Sequence, residues 1–207
     1  MTRRGVFVAF EGGDGAGKST QARRLAEWLR ASGREVVLTF EPGDSRIGKD
    51  VRRLVLDVAS DGLDARAEAL LYAADRAEHV ASLVRPALDR GAVVITDRYV
   101  DSSIAYQGAG RGLGTEQIAE LSRFATGGLE PDLTVVLDVP EHVRRGRIEG
   151  LGDRLEREVD EFHVVVRRAF LDRAERDPER YLVVDGTLPP DEIAAAIAER
   201  MEKVIGE

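Results

Sequence analysis

The chain has 207 residues, 43% hydrophobic and 33% charged, a balance that fits one compact domain with a small appendage and excludes disordered, collagen-like and mucin-like classes. Thirty Lys plus Arg against 38 Asp plus Glu give a formal charge of -8, which argues against broad nucleic-acid binding and requires any bound anion to be held by a local positive cluster. With no cysteine in the sequence, disulfides, thiolate metal sites and a cysteine nucleophile are ruled out, and His79, His142 and His163 are too far apart in sequence to suggest a metal site.

The first apolar run ends at Glu11, too soon for a signal peptide or a membrane span, so a cytoplasmic chain with no membrane partner is expected. Short β-branched runs then alternate with stretches of helical period, the pattern of an α/β fold with a parallel sheet between helices. The runs predict strands near residues 5–11, 35–40, 93–97, 133–138 and 181–185. The first, third and fourth are almost unbroken apolar runs, as central strands covered on both faces should be. Helices are predicted over 18–32, 47–58, 65–89, 115–125, 141–148, 156–177 and 191–204. The first carries Ala22, Leu25, Ala26 and Leu29 on one side and stops at Gly33. Residues 144–158 hold five arginines and three glycines with little apolar content, and so predict an exposed, mobile excursion at the rim of a single domain.

Directly after the first strand stands Gly12-Gly13-Asp14-Gly15-Ala16-Gly17-Lys18-Ser19, which satisfies G-x-x-x-x-G-K-[ST] and runs into the one-sided helix. Glycines let consecutive N–H groups curl around phosphate oxygens, and the helix N-terminus adds partial positive charge. In that geometry Lys18 bridges the outer phosphates and Ser19 ligates Mg²⁺. Lysine is scarce, with only Lys18, Lys49 and Lys203, and one of the three falls where the motif needs it. A second carboxylate should hold the metal from a neighbouring strand end, where Asp97 and Asp138 are the candidates. Asp97 is preferred because Arg98 follows it and would set an anion clamp beside the metal.

Many unrelated activities use such a loop, so the acceptor must be read elsewhere. The chain contains no asparagine and so lacks the Asn-Lys-x-Asp guanine reader of GTPases. Tyr72 and Arg76, at i and i+4 of one predicted helix, place an aromatic face and a guanidinium side by side, as stacking and hydrogen bonding to one base require. Arg98-Tyr99, Ser102-Ser103 and Tyr106-Gln107-Gly108 cluster hydrogen-bonding groups just past a central strand end, where open α/β sheets bind ligands.

Gly12–Ser19, Glu41-Pro42-Gly43, the Leu70 to Arg76 segment, Asp97-Arg98-Tyr99 and the Asp101 to Gly108 segment together resemble bacterial thymidylate kinases, in order and in register from about residue 5 to 156. The resemblance implies a P-loop nucleoside monophosphate kinase fold with a five-stranded parallel sheet, and transfer from ATP to dTMP with Mg²⁺ as cofactor. It also implies a homodimer, for which the 65–89 helix and the apolar residues after 100 offer an interface.

By the same resemblance, Gly12, Gly13, Asp14, Gly15, Ala16, Gly17, Lys18, Ser19 and Thr20 hold ATP, with Ser19 and Asp97 at the metal. Tyr72 stacks on thymine, Arg76 reaches the base O4, and Ser103 and Gln107 read the base edge. Tyr106 crowds the 2′ position, Asp14 approaches the 3′-OH or the phosphates, Arg98 holds the acceptor phosphate and Arg52 lines the acceptor pocket. Gly15 occupies the P-loop place where one subtype carries its catalytic arginine, so that role passes to the lid, to Arg147 and Arg154 beside Lys18 and Arg98. The chain departs from the pattern at Phe40, where relatives have an arginine that contacts the acceptor phosphate. Arg98, with Arg46, is expected to take up that work.

Overall fold

The computed structural model describes residues 5–147 and 152–206. Strands β1 (Val6–Glu11), β2 (Val36–Phe40), β3 (Val93–Asp97), β4 (Leu133–Asp138) and β5 (Tyr181–Asp185) form one sheet in the order β2-β3-β1-β4-β5. Every pairing is parallel, as the unbroken apolar runs predict. The helices are α1 (Lys18–Ala31), α2 (Gly48–Leu56), α3 (Ala65–His79), α4 (Arg85–Asp89), α5 (Val100–Ser103), α6 (Thr115–Thr126), α7 (Glu141–Arg147), α8 (Asp160–Arg176) and α9 (Pro190–Gly206).

All six residues of β1 are buried, and its alternation sorts them between two layers. Val6, Val8 and Phe10 pack with Leu25 and Leu29 of α1 and with Ile193, Ile197 and Met201 of α9. Phe7 and Ala9 face Val80, Val84 and Ala87 on the opposite side. Each fully buried large apolar side chain of this kind contributes roughly 1.5–3 kcal/mol, so the central strand is the best-anchored part of the sheet. At the sheet edge β5 leaves Val183 45% exposed.

Register brings the functional strand ends together. Phe10 lies opposite Asp97 of β3, and Asp97 in turn lies opposite Phe40 of β2. The ladder continues past the strands: the Arg98 N–H donates to the Phe10 carbonyl at 2.9 Å, and the Glu41 N–H to the Asp97 carbonyl at 3.0 Å. The P-loop, the Glu41 turn and the Arg98 turn therefore leave the same end of three adjacent strands.

Three segments differ from the sequence expectation. The helix predicted over 65–89 is α3 and α4 joined through a π-helical turn, Val80–Val84, that keeps the helical course but shifts its phase. The region after Arg98, read only as a polar cluster, is α5 followed by a π-helical run, Ile104–Gly110. The helix predicted from 156 begins instead at Asp160, because residues 153–156 close a turn of their own. The Asp153 carboxylate accepts the Glu156 N–H at 2.9 Å, and the Glu156 carboxylate accepts the Asp153 N–H at 2.8 Å, a capping box spent on one turn. The predicted excursion over 144–158 is exposed only in part. Arg144 and Arg154 are buried, and residues 148–151, which include the expected helix end at Ile148, lie outside the described residues.

Candidate active site

Gly12 turns the chain out of β1 with φ 127°, and a Cβ there would lie 2.4 Å from the Leu137 carbonyl oxygen, so only glycine fits. Gly17 enters α1 in the left-handed region, and the first turn of α1 holds no acidic residue to offset its positive end. The Lys18 ammonium reaches back to the Gly13 carbonyl at 2.8 Å. Burial, and then Arg98, lower its pKa. The Ser19 hydroxyl donates to the Asp97 carboxylate, which joins the two expected metal ligands. Asp138, the alternative, is instead held by the Arg167 guanidinium at 2.6 and 2.7 Å.

Arg98 has φ 73°, rare for a side chain of this size, and the strain is held by a dense set of bonds. It donates to the Asp14 carboxylate, to Ser102 Oγ at 2.9 Å and to the Gly12 carbonyl at 3.2 Å, and lies 5.1 Å from the centre of the Tyr106 ring. The Tyr106 hydroxyl donates to Asp14 at 2.8 Å. Burial would raise the Asp14 carboxyl, but Arg98, Lys18 and the Tyr106 hydroxyl together hold it well below the carboxylate range. Behind Arg98, the fully buried Glu11 accepts the Tyr99 and Ser102 N–H groups at 2.9 and 3.1 Å and the Ser102 hydroxyl at 2.6 Å. Burial, with Asp101 nearby, pushes its pKa up to about 7.

Two cavities meet at this point. One runs along the P-loop past Gly15, Gly17, Lys18, Ser19, Thr20 and Asp97. The other is walled by Tyr72, Arg76, Ser103, Tyr106 and Gln107, with Leu155 and Glu156 across from them. Asp14, Glu41, Arg52 and Arg98 line both. The π-helical run after α5 carries Tyr106 and Gln107 to the second cavity beside Ser103, three and four residues further along the same face.

Arg76 is only 2% exposed, and its donors are spread over three partners. Nε donates to Glu41 at 2.7 Å, Nη1 to Ser103 Oγ at 3.1 Å and Nη2 to the Tyr99 carbonyl at 2.9 Å. Glu41 is braced in turn by His79 Nδ1 at 2.8 Å, and His79 Nε2 meets Thr39 Oγ1 at 2.7 Å. Phe40 is 41% exposed and carries the Arg52 guanidinium 5.6 Å above its ring, while Arg52 also donates to the Pro42 carbonyl at 2.8 Å. Arg46 is exposed and lines neither cavity, so Arg52 is the second cation beside Arg98 where Arg46 was expected.

The lid arginines separate. Arg147 donates to the Gly186 carbonyl at 2.9 Å, in a loop packed close to Ala16 of the P-loop. Arg154 turns inward under the second cavity, where it donates to the Val55 carbonyl at 3.0 and 2.8 Å and to Glu68. Arg144 is clamped on Glu141 at 2.7 and 2.7 Å and packs its stem 3.5 Å from the Gly13 Cβ position.

Glu11, Glu41, Glu68 and His79 are buried polar residues to which the sequence reading gave no role. A signal for two of them exists: Glu68, Tyr72, Arg76 and His79 follow helical spacing on α3, so charged side chains recur on the face that the base-reading pair already marks as inward.

A family model described as Thymidylate kinase matches residues 10–197. The chain is 55% identical over 204 residues to the thymidylate kinase of Clavibacter michiganensis subsp. michiganensis, covering 97% of this chain and 96% of that one. It is 53% identical over 197 residues to the thymidylate kinase of Cutibacterium acnes, covering 95% and 96%. The crystal structure of thymidylate kinase from Ehrlichia chaffeensis superposes with a TM-score of 0.79 at 32% identity, over 96% of this chain and 99% of that one. With a family match across most of its length and relatives aligned nearly end to end, the chain belongs to the thymidylate kinase family.

Proposed function

We propose that the chain transfers the γ-phosphoryl group of ATP to dTMP, giving ADP and dTDP on the route to dTTP. The observation that carries this reading is the junction of the two cavities: Asp14, Arg52 and Arg98 belong to both, so a donor in one and an acceptor in the other meet between these residues.

The donor phosphates lie in the P-loop from Gly12 to Thr20, and Lys18 leaves the Gly13 carbonyl to bridge their outer oxygens. The Ser19 hydroxyl and the Asp97 carboxylate are hard oxygen donors suited to Mg²⁺, and these two residues would hold it. Held there, Mg²⁺ would supply positive charge to neutralise the transferring phosphoryl group. In the acceptor cavity Tyr72 stacks on thymine, Arg76, Ser103 and Gln107 read its edge, and Tyr106 fills the space beside the sugar 2′ carbon. Arg98 and Arg52 hold the acceptor phosphate, with Phe40 supporting Arg52 from below. The attacking phosphate oxygen is ionised at neutral pH, so no general base is required and catalysis rests on positioning and charge neutralisation. From the lid, Arg147 stands on the P-loop side and completes that charge, while Arg154 shapes the acceptor wall through Val55 and Glu68.

The reading includes a homodimer, supported by Leu70 on α3 and Phe124 on α6, which are 58% and 87% exposed. The apolar residues just after 100 do not serve that contact, since Ile104, Ala105 and Tyr106 are buried. No helix among the described residues is long and apolar enough to cross a membrane. The test of function is ADP release by the purified chain with ATP and Mg²⁺, run with dTMP, dUMP, UMP, CMP and AMP in turn. Turnover should require a monophosphate and be fastest with dTMP; ADP release at one rate with or without dTMP refutes the proposal.

A further inference from the structure

Glu68 is completely buried on α3 and lines neither cavity itself. Its two oxygens collect donors from three residues. Gln107 Nε2 donates at 2.8 Å, Arg111 Nε and Nη2 at 3.3 and 3.4 Å, and Arg154 Nη2 completes the set. A buried carboxylate needs such pairing, and two guanidinium groups hold it in place.

The chemistry of the Gln107 contact is one-sided. A carboxylate only accepts, so the nitrogen end of the Gln107 amide must face Glu68 and the oxygen end must point away. Gln107 lines the acceptor cavity, and among the described residues no donor reaches its Oε1. In the same wall, joined to that segment through Ser103, stands Arg76, which has donors only and is itself locked by Glu41, Ser103 and the Tyr99 carbonyl. One edge of the base thus meets a fixed donor followed by a fixed acceptor.

We infer that Glu68 is a specificity-positioning residue: by holding the Gln107 amide in one orientation, it makes the cavity complementary to a pyrimidine imide and hostile to cytosine. This inference rests on the reading that the second cavity takes the base of dTMP. An imide offers a carbonyl oxygen next to a ring N–H, which matches a donor followed by an acceptor. Cytosine offers an amino group next to an unprotonated ring nitrogen, which sets donor against donor and acceptor against acceptor. Without the Glu68 carboxylate the amide is free to flip, and half of that discrimination is lost.

The test compares kcat/KM for dTMP and dCMP in the full chain and its variants, with thermal melting and circular dichroism as a check of folding. Gln107→Leu should lower kcat/KM for dTMP at least about tenfold, since a polar site left without its partner is heavily penalised. Glu68→Gln should lower the dTMP-to-dCMP ratio about tenfold, mainly through KM for dTMP. The double exchange Glu68→Gln with Gln107→Glu restores an amide donating to a carboxylate whose other oxygen faces the base, and should bring the ratio back to within about threefold of the wild type. A merely structural role for Glu68 would lower both substrates together and would show no such rescue.

A folded Glu68→Gln protein with the wild-type ratio, alongside a Gln107→Leu protein that loses dTMP turnover, overturns the inference alone. A Gln107→Leu protein with wild-type kcat/KM for dTMP overturns the cavity reading beneath it. If Glu68→Gln does not fold, the double exchange decides in the same way. One measurement needs no variant: the wild-type chain should reject dTMP methylated at N3, and undiminished kcat/KM for that analogue refutes an acceptor at Gln107.

Discussion

The P-loop and the acceptor cavity are both polar and both built at strand ends, but they are made in opposite ways. The P-loop draws its donors from consecutive backbone N–H groups of one short segment, set by Gly12 and Gly17 in conformations that side chains resist. The second cavity draws on residues spread from Asp14 to Glu156, and its polar groups are held by partners from elsewhere in the fold: Arg76 by Glu41, Arg98 by Asp14 and Ser102, Gln107 by Glu68. A backbone site tolerates changes around it, whereas a site of braced side chains is only as well formed as its braces.

This contrast sets the order of expected effects. Lys18→Ala removes a charge from the transferring group and should cut kcat by about 10²–10³-fold, leaving KM for dTMP within about twofold, as steady-state kinetics would measure. A rise in KM for dTMP matching the fall in kcat would break the separation between the two regions. Arg76→Ala should act the other way, raising KM for dTMP about tenfold or more with KM for ATP little changed. It should also lower the melting temperature, because Glu41 is left buried with only the His79 ring hydrogen-bonded to it.

Phe40→Ala sharpens the comparison at the junction. The ring supports Arg52 through one partly exposed contact, so its loss should weaken dTMP binding only about two- to fivefold in a calorimetric titration. Unchanged affinity would mean that the Pro42 carbonyl alone seats Arg52.

The smallest effect concerns pH and belongs to Glu11. Its carboxyl is raised by burial, and then by Asp101, to about 7 in the folded chain, so the folded state binds the proton more tightly than the unfolded one. That contribution is fully present below the unfolded value of about 4.5 and is lost as pH rises through about 7. The melting temperature of the wild type relative to Glu11→Gln should therefore rise as pH is lowered from 7.5 to about 5. A difference that stays flat over that window would place Glu11 in its charged form throughout.

The layered sheet was legible because its cause is periodic: β1, β3 and β4 are continuous apolar runs, and these are the strands with helices on both faces. Lys18, Ser19, Asp97 and Arg98 were legible because each stands at a fixed distance from a strand end that the same runs define. Tyr72 and Arg76 followed from the helical period. The start of α8 was not, because a capping box at Asp153 and Glu156 competes locally with the helix that composition alone would begin there.

What the sequence by itself determined, then, is the order of strands and helices along the chain, the glycine-rich loop and the residue types that line the two cavities. These depend on spacing within one segment, and local geometry turns spacing into position. Only the tertiary structure decided that Glu41 and His79 brace Arg76, that Phe40 carries Arg52, that Arg154 turns inward, and that Glu68 orients Gln107. Those pairings join residues 12 to 99 positions apart, and a buried polar group takes whichever partner the folded chain delivers to it, since leaving it unpaired costs more than any local preference can offset.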